Sequence, residues 1–342
     1  MRLSLKNYSV SKKIIWSGRV DDPGDPDSYR VHQIMNLINL TNIDDLHVEP
    51  SKSNICLIGF QCDEGVKKNL GRPGAARGPE SIRKEFANFP APFSEDINIF
   101  DAGNILCTEN NLNEAQDQLA KAVKLILDHN MFPLVLGGGH ETALGNYNGI
   151  VKHLSSQEKN KSAPAILNFD AHLDFRPFKD GGSSGSMFYQ IAEKCAQNKT
   201  PFAYMCLGVQ TYSNTLSMFK RAESFGSKYI LAKNMTEKNF PGIIKDIDYF
   251  IEKQNHVYVT ICSDVFNSAY APGVSAPQPF GLDPETVLIF IKHIFKTNKV
   301  ISLDIAEVSP RFDHDNNTAK LAAVIIYAII NVLSELKKSP KG

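Results

Sequence analysis

The chain has no excess of charge of either sign: 37 basic residues balance 37 acidic ones over 342 residues, for a formal charge of zero. That removes the electrostatic footprint expected of a protein that binds nucleic acid or an anionic membrane surface. It has no CxxC pair either. Its six cysteines (Cys56, Cys62, Cys107, Cys195, Cys206 and Cys262) are scattered, which fits reduced intracellular thiols better than a disulfide framework. The longest apolar-rich run, Leu321 to Leu333, falls short of a bilayer span, and the amino terminus MRLSLKNYSVSKK lacks the apolar core of a signal peptide. These absences predict a cytoplasmic protein that acts on a small molecule, with no nucleic-acid or membrane partner. What is present is 42% apolar and 22% charged residues, enough to bury a large core.

Eight short apolar runs read as strands: Ile55 to Phe60, Ile97 to Phe100, Phe132 to Leu136, Ala165 to Phe169, Ala203 to Leu207, Lys228 to Leu231, Val257 to Ile261 and Val300 to Asp304. Helical patterns lie between them. Over Asn113 to His129 the residues Ala115, Leu119, Ala122, Val123, Ile126 and Leu127 fall on one stripe, with Asn113 as the expected N-cap. Such alternation predicts an α/β fold, a three-layer αβα arrangement around a mainly parallel sheet of roughly eight strands. No repeat or long linker divides the chain. It reads as a single domain over 1–342, with 1–50 as an N-terminal extension packed on it.

In open parallel sheets ligands bind beyond the carboxyl ends of the strands. Four polar motifs fall there: GGGHETALGN, DAHLDFR, SDVFNSAYAPG and IAEVSP. Asp170, His172 and Asp174 sit at every other position, so an extended chain would present all three on one face. Two carboxylates buried close together are costly unless a cation compensates, so the pattern suits a metal ion. His140, after three glycines, is a weaker candidate, because GGGH is more often only a turn.

Taken together, GGGHE, then DAHLD, then a strand ending in an acidic motif resemble the ureohydrolase superfamily of arginases, agmatinases and formimidoylglutamases. Within it, WSGRVD (Trp16 to Asp21), NLGRPGAARGP (Asn69 to Pro79) and APGVSAP (Ala271 to Pro277) resemble the formimidoylglutamase versions of the family segments. SSGSMFYQ, in the place of the substrate loop, contains no histidine, unlike the arginase loop. The resemblance implies an arginase-like fold and two manganese ions per chain sharing a bridging hydroxide. His140, Asp170, His172, Asp174 and Asp264 are the implied ligands. It also implies association into homo-oligomers.

The sequence departs from the family at Cys262, which takes the position of an aspartate that bridges both metals in the family. Period two would keep Cys262 on the same face as Asp264, so its sulfur should still point into the site. A thiolate is a softer donor than manganese prefers. Three consequences stand open: Cys262 as an unusual ligand of two ions, one ion held firmly and the other weakly, or lost catalysis. A disulfide between Cys62 and Cys262 that silences the site is a further possibility, against the simpler reading of two unrelated thiols.

The implied reaction is hydrolysis of N-formimidoyl-L-glutamate to L-glutamate and formamide. Asp264 would be proton carrier as well as ligand, and Glu307 would orient the cationic imino group. Arginine grips carboxylates through two parallel hydrogen bonds, so Arg72 is the first expected substrate contact, followed by Asn69 and Arg176. Ser184, in the substrate loop, and Asn214 complete the expected contacts. Other readings are a different amidinohydrolase (agmatinase or guanidinobutyrase type), a non-catalytic binding protein, and a zinc deacetylase on a related sheet. The last accounts for DAHLD but not for NLGRPGAARGP or APGVSAP.

Overall fold

All eight apolar runs form strands in the computed structural model of the chain, which describes residues 5–92, 96–157 and 163–338. In chain order the strands are β1 (Tyr8–Ser9), β2 (Asn36–Leu37), β3 (Ser53–Gln61), β4 (Ile97–Leu106) and β5 (Phe132–Leu136). They continue with β6 (Ala165–Phe169), β7 (Tyr204–Val209), β8 (Lys228–Leu231), β9 (Val257–Cys262) and β10 (Val300–Ala306). The two strands not foreseen, β1 and β2, are two residues long and leave no alternating pattern to read. Both pair with β4, so the amino-terminal segment joins the main sheet.

The sheet has the order β1-β4-β3-β5-β10-β9-β6-β7-β8, with β2 also on β4. Every pairing is parallel except that of β1 with β4. Both faces are apolar, as a sheet covered by helices on each side requires. Along β3, Ile55 and Leu57 join the core on one face, while Cys56, Ile58 and Phe60 join the core on the other. Helices Gly78–Ala87, Phe240–Glu252, Pro284–Lys296 and Asn317–Lys338 cover the first face. Helices Leu112–Asp128, Thr142–Gln157, Met187–Asn198 and Leu216–Ser224 cover the second, giving three layers.

Two sequence expectations need correction. The helix read from Asn113 starts at Leu112, and its cap is Asn111, whose side chain accepts from the Glu114 N–H. Leu112 is 1% exposed, so burying it draws the cap and the helix start two residues earlier. The apolar run at Leu321 to Leu333 belongs to a longer helix, 317–337, which is long enough to cross a membrane and whose most apolar 18-residue window has a mean hydropathy of 1.8. Half of its apolar window is buried, and Ala319, Ala323, Ile325, Ile326, Ile329 and Ile330 pack into the core, so the fold itself accounts for its hydrophobicity.

Candidate metal centre

The four motif-bearing strands are neighbours in the sheet, β5-β10-β9-β6, so their carboxyl ends adjoin one another. Their side chains converge on the floor of a cleft of about 270 Å³ lined by His140, His172, Asp174, Cys262, Asp264 and Glu307. The convergence is not produced by strand alternation, as period two had suggested. β6 ends at Phe169, and Asp170 to Asp174 form a loop in which Asp174 takes a left-handed backbone (φ 55). Cys262 ends β9, and Asp264 sits in the 3-10 turn Ser263–Val265. The glycines before His140 allow close backbone approach: a Cβ on Gly138 would lie 1.8 Å from the Cys62 carbonyl oxygen.

His140 Nδ1 is 3.0 Å from both Asp170 Oδ2 and Asp174 Oδ2. His172 Nδ1 is 3.1 Å from Asp264 Oδ2 and 3.4 Å from Asp170 Oδ1. Donor atoms of His140, Asp170 and Cys262 lie within 4.8 Å of one another, as do those of Asp170, His172 and Asp264, so Asp170 belongs to both trios. Among the described residues these three aspartates form no ion pair with lysine or arginine. Even with both imidazoles charged, three carboxylates leave the cluster at minus one before Glu307 is counted.

The electrostatics of these buried donors suit a bound cation. Burial pulls the His140 imidazolium down, but hydrogen bonds to Asp170 and Asp174 carry it well above its ordinary range. Burial, with the Asp170 charge beside it, pushes the Asp174 carboxyl up to about 6. Burial also raises Cys262, with Asp170 and Asp264 adding to it, and raises Glu307, with Glu141 adding to it. Asp264 Oδ1 and Glu307 Oε2 are buried without a hydrogen-bond partner. Orphaned acceptors of this kind cost about 1–3 kcal/mol each and call for a ligand. Mixed carboxylate, imidazole and thiol donors fit divalent transition ions.

Asn69, Arg72, Arg176 and Ser184, named from the sequence as substrate contacts, line the same cleft. They differ in how committed they are. Arg72 donates from Nε to Ser275 O (2.9 Å) and from Nη2 to Val274 O (2.7 Å), and it stacks on Phe312 at 4.1 Å. Arg176 is exposed, and its guanidinium makes no hydrogen bond or ion pair with any described residue. Asn214, expected to touch substrate, instead clamps the metal loop. Its Oδ1 accepts from Leu173 N (2.8 Å), and its Nδ2 donates to Ala171 O (2.9 Å) and Gln210 O (2.8 Å). Met218, Ser275 and Ala276 also line the cleft and were not foreseen, although Ser275 and Ala276 lie within the quoted APGVSAP.

Cys62 is not placed to pair with Cys262, and both are free thiols. β3, which ends at Gln61, is separated from β9 by β5 and β10. Three inter-strand spacings amount to about 14 Å, whereas disulfide-bonded Cα atoms lie within about 7 Å. The β3 and β4 register, Gln61 opposite Leu106, puts Cys107 beside Cys62 instead.

Fold and site together define a class: a three-layer α/β/α protein with a divalent-metal cluster at the carboxyl edge of its sheet. Residues 53–331 match the arginase family, and the chain belongs to that family. It is 50% identical over 331 residues to the formimidoylglutamase of Clostridium tetani, covering 96% of this chain and 97% of that one. It is 39% identical over 316 residues to the formimidoylglutamase of a Geobacillus species, covering 92% and 94%. The fold of the formimidoylglutamase from Bacillus subtilis superposes with a TM-score of 0.75 at 20% identity, covering 94% of this chain and 95% of that one. Trypanosoma cruzi formiminoglutamase with Mn2+2 superposes at 0.72 and 23% identity, covering 86% and 98%.

Proposed function

We propose that this protein hydrolyses N-formimidoyl-L-glutamate to L-glutamate and formamide, using two divalent ions held by His140, Asp170, His172, Asp174, Asp264 and Cys262. The observation that carries this reading is the pair of donor trios sharing Asp170 beneath a cleft that offers uncommitted cationic and anionic groups. Near-full-length similarity to proteins named formimidoylglutamase supports the substrate. Bound ions would supply hydroxide at neutral pH and Lewis acidity toward the amidine carbon.

The chain's own residues do the rest. Glu307 Oε1 accepts from the His140 backbone N–H at 2.9 Å, which leaves Oε2 to accept from the cationic imino nitrogen and aim its carbon. Asp264 Oδ1 is buried without a hydrogen-bond partner, which leaves it able to pass a proton to the departing glutamate nitrogen. Arg176 is the first carboxylate partner, ahead of Arg72, whose Nε and Nη2 are already bound to backbone carbonyls. Manganese is the proposed metal, with the Cys262 sulfur shifting its trio toward softer ions such as zinc or cobalt.

The test is glutamate release from N-formimidoyl-L-glutamate by reduced, manganese-loaded protein, with arginine and agmatine assayed beside it. Turnover of the formimidoyl substrate alone is expected. Turnover of agmatine instead would move the assignment to another amidinohydrolase. Inactivity toward all three by a folded, loaded protein would favour a binding role, the reading that Cys262 motivates.

A further inference from the structure

Beneath His140 lies a buried polar network that the metal cluster does not use. The β9 and β10 register sets Asp304 opposite Thr260. Thr260 Oγ1 donates to Asp304 Oδ1 at 2.6 Å, and the same oxygen is 2.9 Å from His140 Nε2. Asp304 Oδ2 receives Asn146 Nδ2 at 2.8 Å and the Tyr258 hydroxyl. Asp304, Thr260, Asn146 and Tyr258 are all fully buried, so no solvent competes for these bonds.

The hydrogen count decides the direction of the network. A threonine hydroxyl has one hydrogen, and a carboxylate already receiving from two other donors claims it. Toward His140, Thr260 can then only accept, so the proton on Nε2 must belong to the imidazole. In the neutral ring that leaves the lone pair on Nδ1, the nitrogen that faces Asp170 and Asp174. We infer that Thr260 and Asp304 are positioning residues that lock His140 in its Nε2–H tautomer and so present Nδ1 as a metal donor. This rests on the metal reading proposed above and adds to it the device that makes His140 a competent ligand. Outer partners of metal-bound histidines act in this way, and losing one typically weakens metal binding about 10- to 100-fold.

The test measures manganese binding by equilibrium dialysis with metal analysis in wild type, Thr260→Ser and Thr260→Val. Serine keeps the hydroxyl and should bind as wild type does. Valine keeps the volume but removes the acceptor, and should weaken one of the two ions about 10- to 100-fold; because it also strands Asp304 Oδ1 without its donor, the metal-free variant should melt below wild type. Equal affinity in the valine variant overturns this inference and leaves the metal reading standing. A wild type that holds no ion overturns both. A measurement on wild type alone avoids any folding defect of the variants. In zinc-loaded, 15N-histidine-labelled protein, the exchange-protected ring proton of His140 should sit on Nε2, and protection at Nδ1 overturns the inference.

Discussion

Two clusters of buried charge sit in this sheet, and they differ in who supplies the counter-ion. Around β4, Arg83 donates to Asp101 (2.8 Å), Asn104 (2.7 Å) and the Gly103 carbonyl (2.7 Å). Trp16 Nε1 and the Gly103 N–H donate to the same aspartate. Both ionic side chains are 0% exposed, and although Arg83 Nε has no hydrogen-bond partner, the chain neutralises the charge itself there. At the ends of β5, β6, β9 and β10, carboxylates outnumber cations and acceptors are left orphaned. A closed cluster of the first kind shapes the fold, whereas an open one of the second kind reserves places for ions.

The comparison breaks most sharply at Asp170, the residue common to both trios. Asp170→Asn should remove several kcal/mol of metal-derived stabilisation, a rate loss beyond about a thousandfold. Metal analysis should show both ions weakened, with the fold kept by circular dichroism. Retention of two tight ions would refute the shared-ligand geometry. The mirror experiment is Arg83→Met. It strands Asp101 without its cation and should cost about 3–5 kcal/mol of stability. Denaturant unfolding would read this, while metal content stays at the wild-type value.

Smaller effects sharpen the contrast at the rim. Arg176→Ala should raise KM about 10- to 100-fold with little change in kcat, the loss of one charge-assisted pair worth about 1.5–3 kcal/mol. Arg72→Ala should raise KM less, because its guanidinium chiefly braces Val274 and Ser275. The reverse ranking would return Arg72 to first place. Smallest in rate, no more than about tenfold, should be Cys262→Asp. Its readout is spectroscopic: the cobalt-loaded wild type should show thiolate-to-metal absorption in the near ultraviolet that the variant lacks. Identical spectra would take the sulfur out of the metal shell.

Much of this was legible in the residues. The strands from β3 to β10 announce themselves because a sheet covered on both faces needs continuous apolar runs. His140, Asp170, His172, Asp174 and Asp264 follow strand ends in chain order, and that placement is what brings them together. What stayed hidden depends on contacts between distant segments. Asn214 reads as a substrate contact until the Leu173 N–H is found 2.8 Å from its Oδ1. Cys62 acquires its neighbour Cys107, and Thr260 its partner Asp304, only through register, which no single strand records. Arg72 and Arg176 are the same residue type, and only the backbone carbonyls around one of them tell them apart.

Glu307 has a left-handed backbone (φ 66), and Asp174 shares that conformation. Non-glycine residues held there carry about 1–3 kcal/mol of strain. Glycine would relax either position and make the protein harder to melt. Directed selection for heat resistance alone would reach these two codons among the eleven left-handed non-glycine positions of the described residues, and at these two it would discard the chemistry in exchange. Selection for turnover would hold them fixed. Stability and activity thus pull on the same two residues in opposite directions.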